Sequence, residues 1–494
     1  MINSLARIEK KHVPVREIFE QLSITNPNFG KYSKKLGGMD FRKKISFLRE
    51  DDTYIYVPRN FPLERYNIDI LEDTSTPGRA ASIKFTKELR DYQKEFFSKN
   101  DLFESPDRII NAGCGSGKTV MSLWVISQIK LRTLVVVPTN FLVEQYEERA
   151  NFFTDAVVGI GSPTKPIPEN CDILIMTYGL FLSRDWSEDF LNQFGHLVVD
   201  EGHRIGADSF EQIIPKVPAM FRTLITATFR REDGAEKVLL WHFGKLFKMK
   251  NVNPLVGVTI AHTGITLSGF QKVGKLSIKD LDKLSEELRY ANIDFVLKEG
   301  YLVLLGTVGR AAIEKVKYKL TKKLGDFLDK TFRNDSFATL DSALAIIPER
   351  NEKILSLARK KVEEGKKVLI LSKRKNQLFD FSKVLTEMGV RSKIMVGKAN
   401  KGGDTSFEEG TYDVILGIDK LAKEGADLPD LDVLILCHLF GDPEQALGRV
   451  ARIVEGKKPE AYFLLDDNKM CKGLLNKASK IIPNNGYIAG NTIL

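Results

Sequence analysis

The segment AGCGSGKT, residues 112–119, contains the residue types that bind phosphate groups. It follows the apolar Ile109-Ile110 and precedes the helix-like run VMSLWVISQI, and strand, glycine-rich loop and helix is the order that a P-loop requires. Closely spaced glycines let backbone N–H groups approach phosphate oxygens, and the start of the next helix adds the positive end of its dipole. The sequence therefore predicts a nucleoside triphosphate site.

Each residue of this loop has an expected role. Lys118 is expected to reach the β- and γ-phosphates, and Thr119 is expected to ligate Mg²⁺. Ala112 stands where the strict pattern has its first glycine, and Cys114 is interpreted as a small loop residue rather than a nucleophile. The predicted nucleotide-binding residues of the loop are Ala112, Gly113, Cys114, Gly115, Ser116, Gly117, Lys118 and Thr119.

A second cluster, Asp200-Glu201-Gly202-His203, directly follows the apolar run HLVV. Acidic side chains at the carboxyl end of a buried strand face the crevice in which open α/β sheets bind ligands. Asp200 is predicted to hold Mg²⁺ together with Thr119, and Glu201 to orient the attacking water. Solvated Asp-Glu turns are common, so it is the preceding P-loop that favours the catalytic interpretation.

The elements that must position these groups are visible in the hydrophobic pattern. Apolar strand-like runs alternate with helix-like stretches over residues 81–255 and again over residues 345–494. This alternation is typical of a parallel sheet flanked by helices. The predicted fold class is therefore α/β, with two similar domains.

Two further regions lack this alternation. Residues 1–80 contain basic stretches and end in the polar EDTSTPGRA, which is interpreted as a linker, so they predict an N-terminal accessory domain that could bind DNA. Residues 256–344 predict a charged helix (IKDLDKLSEELRYAN), a hairpin turning near Glu299-Gly300 and one more helix (AAIEKVKYKLTKKLGDFLDK). We interpret them as an inserted α+β accessory module.

The composition limits the class of partner. A net charge of +9 over 494 residues favours an anionic partner such as nucleic acid, although a solubilising surface would look similar. The four cysteines, Cys114, Cys171, Cys437 and Cys471, are widely spaced and indicate neither a disulfide framework nor a zinc site. No apolar run approaches the roughly 18 residues that span a bilayer, and no signal-peptide core follows the first charges. We expect a cytoplasmic protein without a membrane partner.

Further motifs occur in a fixed order along the chain. They are LRDYQ (89–93), VVVPTNFLVEQ (135–145), MTYG (176–179), TATFRREDG (226–234), KVLILSKRKNQ (367–377), LAKEGADLP (421–429) and QALGRVARI (445–453). With the P-loop and the DEGH box, this ordered set resembles superfamily 2 (DEAD/DEAH-like) helicases, and DEGH with TATFRRED is most similar to the XPB and UvsW type, which includes phage branch-migration DNA helicases. Single motifs recur by chance, whereas the whole set in order rarely should.

The resemblance implies two tandem RecA-like P-loop NTPase domains, 81–255 and 345–494, that use ATP and Mg²⁺ to move along single-stranded, forked or branched DNA. It also implies roles for residues outside the P-loop. The residues that it implies to contact the nucleotide are Arg90, Gln93, Gly425 and Asp427, and Gln93 is expected to recognise adenine. Catalytic roles fall on Lys118, Asp200, Glu201, Gln445 and the arginine fingers Arg449 and Arg452, and coupling falls on His203, Thr226 and Thr228. DNA contacts fall on Thr139, Thr177, Arg230, Ser372 and Lys373.

Three functions stay open from the sequence. The first is an ATP-dependent DNA helicase that remodels forks or junctions in branch migration, recombination or repair, with movement expected 3′ to 5′. The second is an RNA helicase, against which the box reads DEGH rather than DEAD. The third is a non-catalytic ATP-dependent nucleic-acid-binding switch, which the intact Lys118 and Glu201 disfavour. The hairpin near residues 292–305 is either a strand-separating wedge or part of its module's core.

Overall fold

A computed structural model describes the chain except residues 1–4, 27–28, 30–31, 34–37, 40–42, 67, 69–74, 114, 203–211, 228, 230–235, 251–253, 275, 335, 396–411, 419–430 and 452–457. The chain divides into two compact units, Met1–Val252 and Asn253–Leu494. Within the described ranges, no helix is both long enough and apolar enough to cross a membrane.

The first unit is built on a seven-stranded parallel sheet with the order β10-β11-β9-β12-β13-β8-β14. Its strands are β1 (Leu5–Glu9), β2 (Ser23–Thr25), β3 (Tyr32–Ser33), β4 (Gly38–Met39), β5 (Lys44–Ser46), β6 (Arg49–Glu50), β7 (Tyr54–Pro58), β8 (Asp107–Asn111), β9 (Thr133–Val137), β10 (Val158–Ile160), β11 (Ile173–Thr177), β12 (His196–Asp200), β13 (Phe221–Thr226) and β14 (Lys245–Lys248). Its described α-helices are Val15–Gln21, Asp91–Lys99, Lys118–Ile129, Asn140–Phe153, Tyr178–Leu182, Glu188–Leu191 and Glu236–Phe243.

The strands β8, β9 and β12 are buried along their whole length. The apolar runs of β9 and β12 predict this burial for a sheet covered on both faces. Because all seven strands are parallel, their carboxyl ends lie along one edge of the sheet. The P-loop follows β8, and the acidic pair Asp200-Glu201 begins at the last residue of β12. The predicted α/β architecture of this half is confirmed.

The N-terminal residues lie in the same compact unit as the parallel sheet. Strands β1, β7 and β6 form a small sheet whose apolar side chains share a core with Val238 and Trp241 of the helix Glu236–Phe243. Arg59 forms an ion pair with Asp107 at the start of β8. A sheet of this size buries too little apolar surface to be stable alone, so it packs on its larger neighbour.

The predicted linker differs from expectation in the part that the structure describes, residues 75–80. Thr76 N–H donates to the Pro218 carbonyl, and Arg79 N–H donates to the Gln193 carbonyl. Gly78 has a φ of 61°, and a Cβ there would lie 2.2 Å from the backbone nitrogen of Gly195. This segment is therefore held against the first unit, and Gly78 is required because two backbones meet there.

The second unit is built on a nine-stranded sheet with the order β16-β17-β15-β22-β21-β18-β20-β19, in which β23 also pairs with β15. Its strands are β15 (Val256–Lys272), β16 (Phe295–Lys298), β17 (Tyr301–Leu305), β18 (Val368–Ser372), β19 (Ser392–Met395), β20 (Val414–Ile418), β21 (Val433–Leu436), β22 (Glu460–Asp467) and β23 (Gly486–Ile493). Its described α-helices are Ile278–Tyr290, Arg310–Tyr318, Lys322–Phe332, Phe337–Ala345, Pro348–Glu363, Lys375–Glu387, Glu444–Leu447 and Lys469–Ser479.

The predicted accessory module, residues 256–344, shares a strand with the second domain. The first half of β15 pairs in parallel with β22 and β23, and its last residues pair antiparallel with β17. One 17-residue strand thus serves both the parallel core and the hairpin. The continuous ladder places this module in the same compact unit as the rest of the second half. The boundary near residue 345 stays a prediction.

Inside this module the predicted elements are mostly found. The first helix is Ile278–Tyr290, and the hairpin turns at Glu299-Gly300, where both residues have positive φ as a tight two-residue turn requires. The predicted second helix is wrong in one respect, because it is two helices that break before Thr321, whose hydroxyl caps the second helix. Apolar side chains of β17 are buried with those of Ile278–Tyr290, which confirms that the hairpin contributes to the module's core.

Candidate nucleotide and nucleic-acid sites

The P-loop has the backbone geometry that its glycines permit. Gly115 and Gly117 both have a φ of 77°, in the left-handed region, and Gly117 immediately precedes the helix Lys118–Ile129. A Cβ on Gly117 would lie 2.6 Å from Nε2 of Gln93. Glycine is therefore required at residue 117 both by its backbone conformation and by its neighbour.

Gln93, predicted to read adenine, is bonded to the P-loop. Its side chain is 2% exposed, and its Nε2 donates to the Ser116 carbonyl at 2.9 Å. Its Oε1 accepts the backbone N–H of Arg90, which begins the helix Asp91–Lys99. Both ends of the amide are thus engaged inside the protein, so the structure gives Gln93 a role in holding the loop. Adenine reading by Gln93 and Arg90 stays a prediction.

The two acidic residues lie at the end of β12 and are both largely buried. Asp200 is 6% exposed, and one of its carboxylate oxygens accepts the backbone N–H of Glu201 at 2.8 Å. The Tyr178 hydroxyl donates to the Asp200 carbonyl, a bond that the sequence did not predict. Glu201 is 8% exposed and has a φ of 51°, which is uncommon for a residue with a side chain and is typical of functional sites.

Lys118 and Glu201 are brought together as the sequence predicted. Lys118 Nζ lies 3.8 Å from Glu201 Oε1, and both side chains are mostly shielded from solvent. Shielding strengthens the interaction of either group with a charged ligand because the local dielectric constant is lower than that of water. The lysine of the P-loop and the acid proposed to orient water therefore form one site within the first unit.

The donor set at this site is suited to Mg²⁺. Asp200 offers a carboxylate at a strand end and Thr119 offers a hydroxyl in the first turn of the helix, and Mg²⁺ prefers such oxygen ligands. In the described part of the chain, no group of three or more His, Cys, Asp or Glu side chains could hold a metal by itself. In proteins Mg²⁺ is commonly bound by one or two carboxylates, with substrate phosphates and water supplying the remaining ligands.

The end of β13 is bonded to the start of the P-loop. The buried Thr226, predicted to couple the sites, accepts the backbone N–H of Ala112 at 3.0 Å with its carbonyl. The Asn111 side chain donates to the carbonyls of Thr226 and Ala227. Sequence reasoning missed Asn111, although a buried amide between an apolar strand and a glycine-rich loop is a signal that could have found it. The coupling role of Thr226 itself stays a prediction.

Thr139 and Thr177, predicted to contact DNA, lie at the carboxyl ends of β9 and β11. Each hydroxyl caps the helix that follows, since Thr139 Oγ1 accepts the N–H of Leu142 and Thr177 Oγ1 accepts the N–H of Leu180. A capping hydroxyl still has its own proton to donate, and both side chains are half-buried. Their position is compatible with phosphate contact, which stays a prediction.

The prediction that Ser372 contacts DNA does not fit its surroundings in the structure. Its side chain is 0% exposed, and its hydroxyl donates to Gln377 Oε1 at 2.6 Å and accepts the N–H of Arg374. A hydroxyl enclosed in this way cannot reach a phosphate. The signal for a buried residue was present in the apolar run VLILS, which makes Ser372 the last residue of a central strand.

Lys373, also predicted to contact DNA, is engaged inside the second unit. Its Nζ lies 3.1 Å from Asp341 Oδ1 and donates to the Leu439 carbonyl at 3.2 Å. The two charged side chains are 21% and 10% exposed. Its ammonium group is thus already paired with a carboxylate, whereas a lysine that binds phosphate presents its ammonium group to the ligand.

The remaining predicted residues divide into two sets. Gln445 lies in the short helix Glu444–Leu447, and Arg449 follows it and is half-buried. The residues that lie outside the described part of the chain are Cys114, His203, Thr228, Arg230, Gly425, Asp427 and Arg452.

Comparison with known proteins identifies relatives for both halves. The family described as "Type III restriction enzyme, res subunit" matches residues 86–231, and the family described as "Helicase conserved C-terminal domain" matches residues 349–454. A putative helicase of invertebrate iridescent virus 3 is 30% identical over 238 residues, covering 44% of this chain and 71% of the relative.

Two further relatives cover more of this chain. The DNA 3′-5′ translocase XPB2 of Sulfurisphaera tokodaii is 27% identical over 395 residues, covering 77% of this chain and 82% of the relative. A putative ATP-dependent RNA helicase of Acanthamoeba polyphaga mimivirus is 23% identical over 414 residues, covering 82% of this chain and 69% of the relative. The names of these relatives agree on a motor and differ on the nucleic acid.

Proposed function

The chain belongs to the superfamily 2 helicases of the XPB type and is an ATP-hydrolysing enzyme with two tandem RecA-like domains, and from this premise we propose that it is a DNA translocase that remodels forked or branched DNA. It uses ATP hydrolysis to move along one strand in the 3′-to-5′ direction. The proposal extends the family assignment to a substrate, a direction and a structural class of DNA.

The observation that carries this proposal is the common edge of the first sheet. Thr177 ends β11, and Thr139 follows the end of the neighbouring strand β9 by two residues. Asp200 ends β12, which lies beside β9. The P-loop begins after β8, two strands further along the same edge. Groups that can donate to backbone phosphates therefore lie a few strand spacings from the ATP site, and strands in a sheet are about 5 Å apart. A change of nucleotide state can reach the nucleic-acid contacts through rigid elements.

The hydrolysis step uses the groups gathered in the first unit. Lys118 binds the β- and γ-phosphates, and the backbone N–H groups around Gly115 and Gly117 bind the remaining oxygens. Glu201 orients the attacking water and accepts its proton at a carboxylate oxygen. Asp200 and Thr119 would hold Mg²⁺, which would neutralise charge on the phosphate oxygens.

Residues of the second unit also have roles in hydrolysis in this proposal. Arg449 and Arg452 stabilise the charge that develops on the γ-phosphate, Gln445 assists them, and Gly425 and Asp427 contact the nucleotide. His203 and Thr228 join Thr226 in coupling, and Arg230 contacts DNA. ATP binding and phosphate release then favour different conformational states of the enzyme.

DNA is favoured over RNA as the substrate by one relative, named as a DNA 3′-5′ translocase, which aligns over 77% of this chain. The net charge of +9 suits either polyanion. The second candidate is an RNA helicase, which is favoured by the name of the mimivirus relative. Substrate choice in either case is assigned to residues 5–66 and to the module 256–344, which carry none of the shared motifs.

The test is the steady-state ATPase rate at fixed salt with single-stranded DNA, forked DNA, a four-way junction and RNA of matched length. We expect the largest stimulation with forked or four-way DNA, because remodelling requires contacts to more than one arm. Strand-displacement assays with a 3′ or a 5′ tail then report the direction of movement. Lys118→Ala supplies the background for every substrate.

Each outcome decides a part of the proposal. Greater stimulation by RNA would replace DNA by RNA as the substrate. Equal stimulation by single-stranded and branched DNA would retain translocation and remove the specificity for branches. Absence of stimulation by every nucleic acid, with ATP hydrolysis intact, would contradict the proposed coupling.

A further inference from the structure

Lys373 lies at a junction of three elements of the second unit. It follows the end of β18 and precedes the helix Lys375–Glu387. Its ammonium group contacts the Asp341 carboxylate of the helix Phe337–Ala345 and the carbonyl of Leu439, which lies beyond the end of β21. Its Nζ also lies 5.6 Å from the centre of the Phe440 ring. One side chain thus joins a helix at the end of the accessory module to the segment after a core strand.

His438 makes a second connection between the same helix and segment. It is buried, its Nδ1 accepts the backbone N–H of Lys373 at 3.4 Å, and its Nε2 donates to the Asp341 carbonyl at 2.9 Å. Burial, with the Arg350 and Lys373 cations nearby, holds the pKa of His438 well below its usual value. The neutral ring therefore has one donor and one acceptor, and both are used here.

The helix Phe337–Ala345 connects the hairpin of the accessory module to the turn after β18. It packs against β15 and β17, the long strand and the second strand of the hairpin. Its Ala338 carbonyl accepts a bond from Arg374, the residue after Lys373. Through Asp341 and Ala338 the module is therefore tied to the turn between β18 and the next helix.

The segment after β21 is held from its other side by a buried ion pair. Arg350 Nε lies 2.8 Å from Asp466 Oδ1, and the Arg350 guanidinium also donates to the Cys437 carbonyl. Thr263 of β15 donates to the same Asp466 oxygen at 2.6 Å. The carbonyls of Cys437 and Leu439 are thus held by two cationic side chains from two different elements.

This segment leads directly to the residues assigned to hydrolysis. Leu439 and Phe440 are buried, and Gln445 and Arg449 follow within ten residues, in and just after the helix Glu444–Leu447. The connection from Phe440 to Gln445 is short, with Pro443 buried within it. A short connection limits how far its last residues can move when its first residues are fixed. The place of the Arg449 backbone therefore depends on the bonds made at Cys437–Leu439.

We propose that Lys373 is a positioning residue for ATP hydrolysis, which ties the accessory helix Phe337–Ala345 through Asp341 to the segment that carries Gln445 and Arg449. It is not a nucleic-acid contact. This inference rests on the proposed function in one respect, the role of Arg449 at the γ-phosphate. It assigns the accessory module a route by which its position alters turnover.

The experiment compares Lys373→Met, Lys373→Arg and Asp341→Asn with Lys383→Met. Lys383 is an exposed lysine on the helix Lys375–Glu387, so its loss removes the same charge nearby without touching the junction. For each variant, three quantities are measured: kcat of ATP hydrolysis with and without saturating DNA, the DNA concentration that gives half-maximal stimulation, and its dependence on salt. Thermal unfolding reports whether each variant is folded.

We expect kcat to fall about tenfold in Lys373→Met and in Asp341→Asn, because a displacement of about 1 Å of a catalytic group is enough for such a loss. The half-maximal DNA concentration and its salt dependence should match those of Lys383→Met. Lys373→Arg should recover part of kcat because it keeps the charge. The double variant Asp341→Asn with Lys373→Met should be no worse than the poorer single variant, since both remove one connection.

Two results would overturn the inference. One is an unchanged kcat with a salt dependence reduced by about one counterion, the signature of a lost phosphate contact. The other is no change in any quantity. If Lys373→Met does not fold, Asp341→Asn and Lys373→Arg decide the matter. If no nucleic acid stimulates the wild type, the proposed function fails, and the effect of the variants on basal kcat still tests the positioning role.

Discussion

The ends of the central strands look alike in the two halves of the chain but differ in environment. In the first unit, Thr139 and Thr177 are half-buried at or just after the ends of β9 and β11, and each caps the helix that follows its strand. In the second unit, Ser372 at the end of β18 is enclosed, and Lys373 is paired with Asp341. Hydroxyl and lysine side chains at strand ends therefore do not by themselves identify a phosphate contact. The elements packed over the strand end decide it.

The largest effect is expected at the site that the first unit assembles. Glu201→Gln should lower kcat for ATP by at least about 100-fold because the side chain can no longer accept a proton, while ATP binding stays. Lys118→Ala should abolish both turnover and ATP binding. Single-turnover hydrolysis and binding of a fluorescent ATP analogue measure these quantities. Hydrolysis that survives in both variants would contradict the assigned site.

A smaller loss is expected from the P-loop backbone. Gly117→Ala combines a left-handed φ with a collision against Gln93, so ATP affinity should fall about tenfold or more, the loss expected for a strain of roughly 1–3 kcal/mol. Gly365→Ala is the matched control in the second unit, because Gly365 has a φ of 76° but nothing within 4 Å of a Cβ. It should lower the melting temperature slightly and leave ATP affinity unchanged. Equal loss of affinity in both variants would mean that general destabilisation, and not the geometry of the P-loop, causes the loss.

The two units should also differ in sensitivity to acid. Burial, with Arg222, Arg49 and Arg59 nearby, lowers the pKa of His242 to about 3, and burial with Arg108 nearby lowers the pKa of His196 well below 6.5. Both belong to the first unit, whereas His438 is the corresponding buried histidine of the second. The unfolded chain binds more protons below pH 6.5, so stability is present above that pH and is lost as the pH falls.

Each of these histidines should cost up to about 1.4 kcal/mol per pH unit below pH 6.5. Urea unfolding at pH 7.5 and 5.5 measures the loss, and His242→Leu should reduce it. A first unit that loses no more stability than the second would contradict this difference.

The smallest effect tests the comparison of strand ends directly. Thr177→Val should weaken DNA binding by about threefold and lower stability by about 1 kcal/mol through the lost helix cap. Ser372→Ala should leave the dissociation constant for DNA unchanged, because its hydroxyl is enclosed. Fluorescence anisotropy with labelled DNA measures both. A weaker binding in Ser372→Ala would mean that the turn opens when DNA binds.

Much of the site could be predicted because its signals are local in the sequence. The P-loop is eight consecutive residues between a strand and a helix. The pair Asp200-Glu201 directly follows the apolar run HLVV. A parallel sheet brings the ends of such strands to one edge whatever their order in the chain. The proximity of Lys118 and Glu201 therefore follows from the pattern.

Other features could not be predicted because they depend on pairing between distant segments. Residues 256–344 looked like a separate module, but the 17 residues of β15 join its hairpin to the core sheet by pairing with β22 and β23, about 200 residues later. The polar segment before residue 80 looked like a free linker, but Gly78 packs against Gly195. Hydrophobic periodicity indicates which face of an element is buried, but it does not indicate which other element packs against that face.

The sequence by itself determined the chemistry of this protein: a P-loop, an acidic pair and the ordered motifs of a helicase, each written in a few adjacent residues. The tertiary structure decided which polar side chains are available for that chemistry. Lys373 and Ser372 have the right residue types at the right strand end, yet Asp341, Leu439 and Gln377 satisfy them from elsewhere in the fold. Burial and pairing depend on contacts made across the chain, and the residue type alone does not encode them.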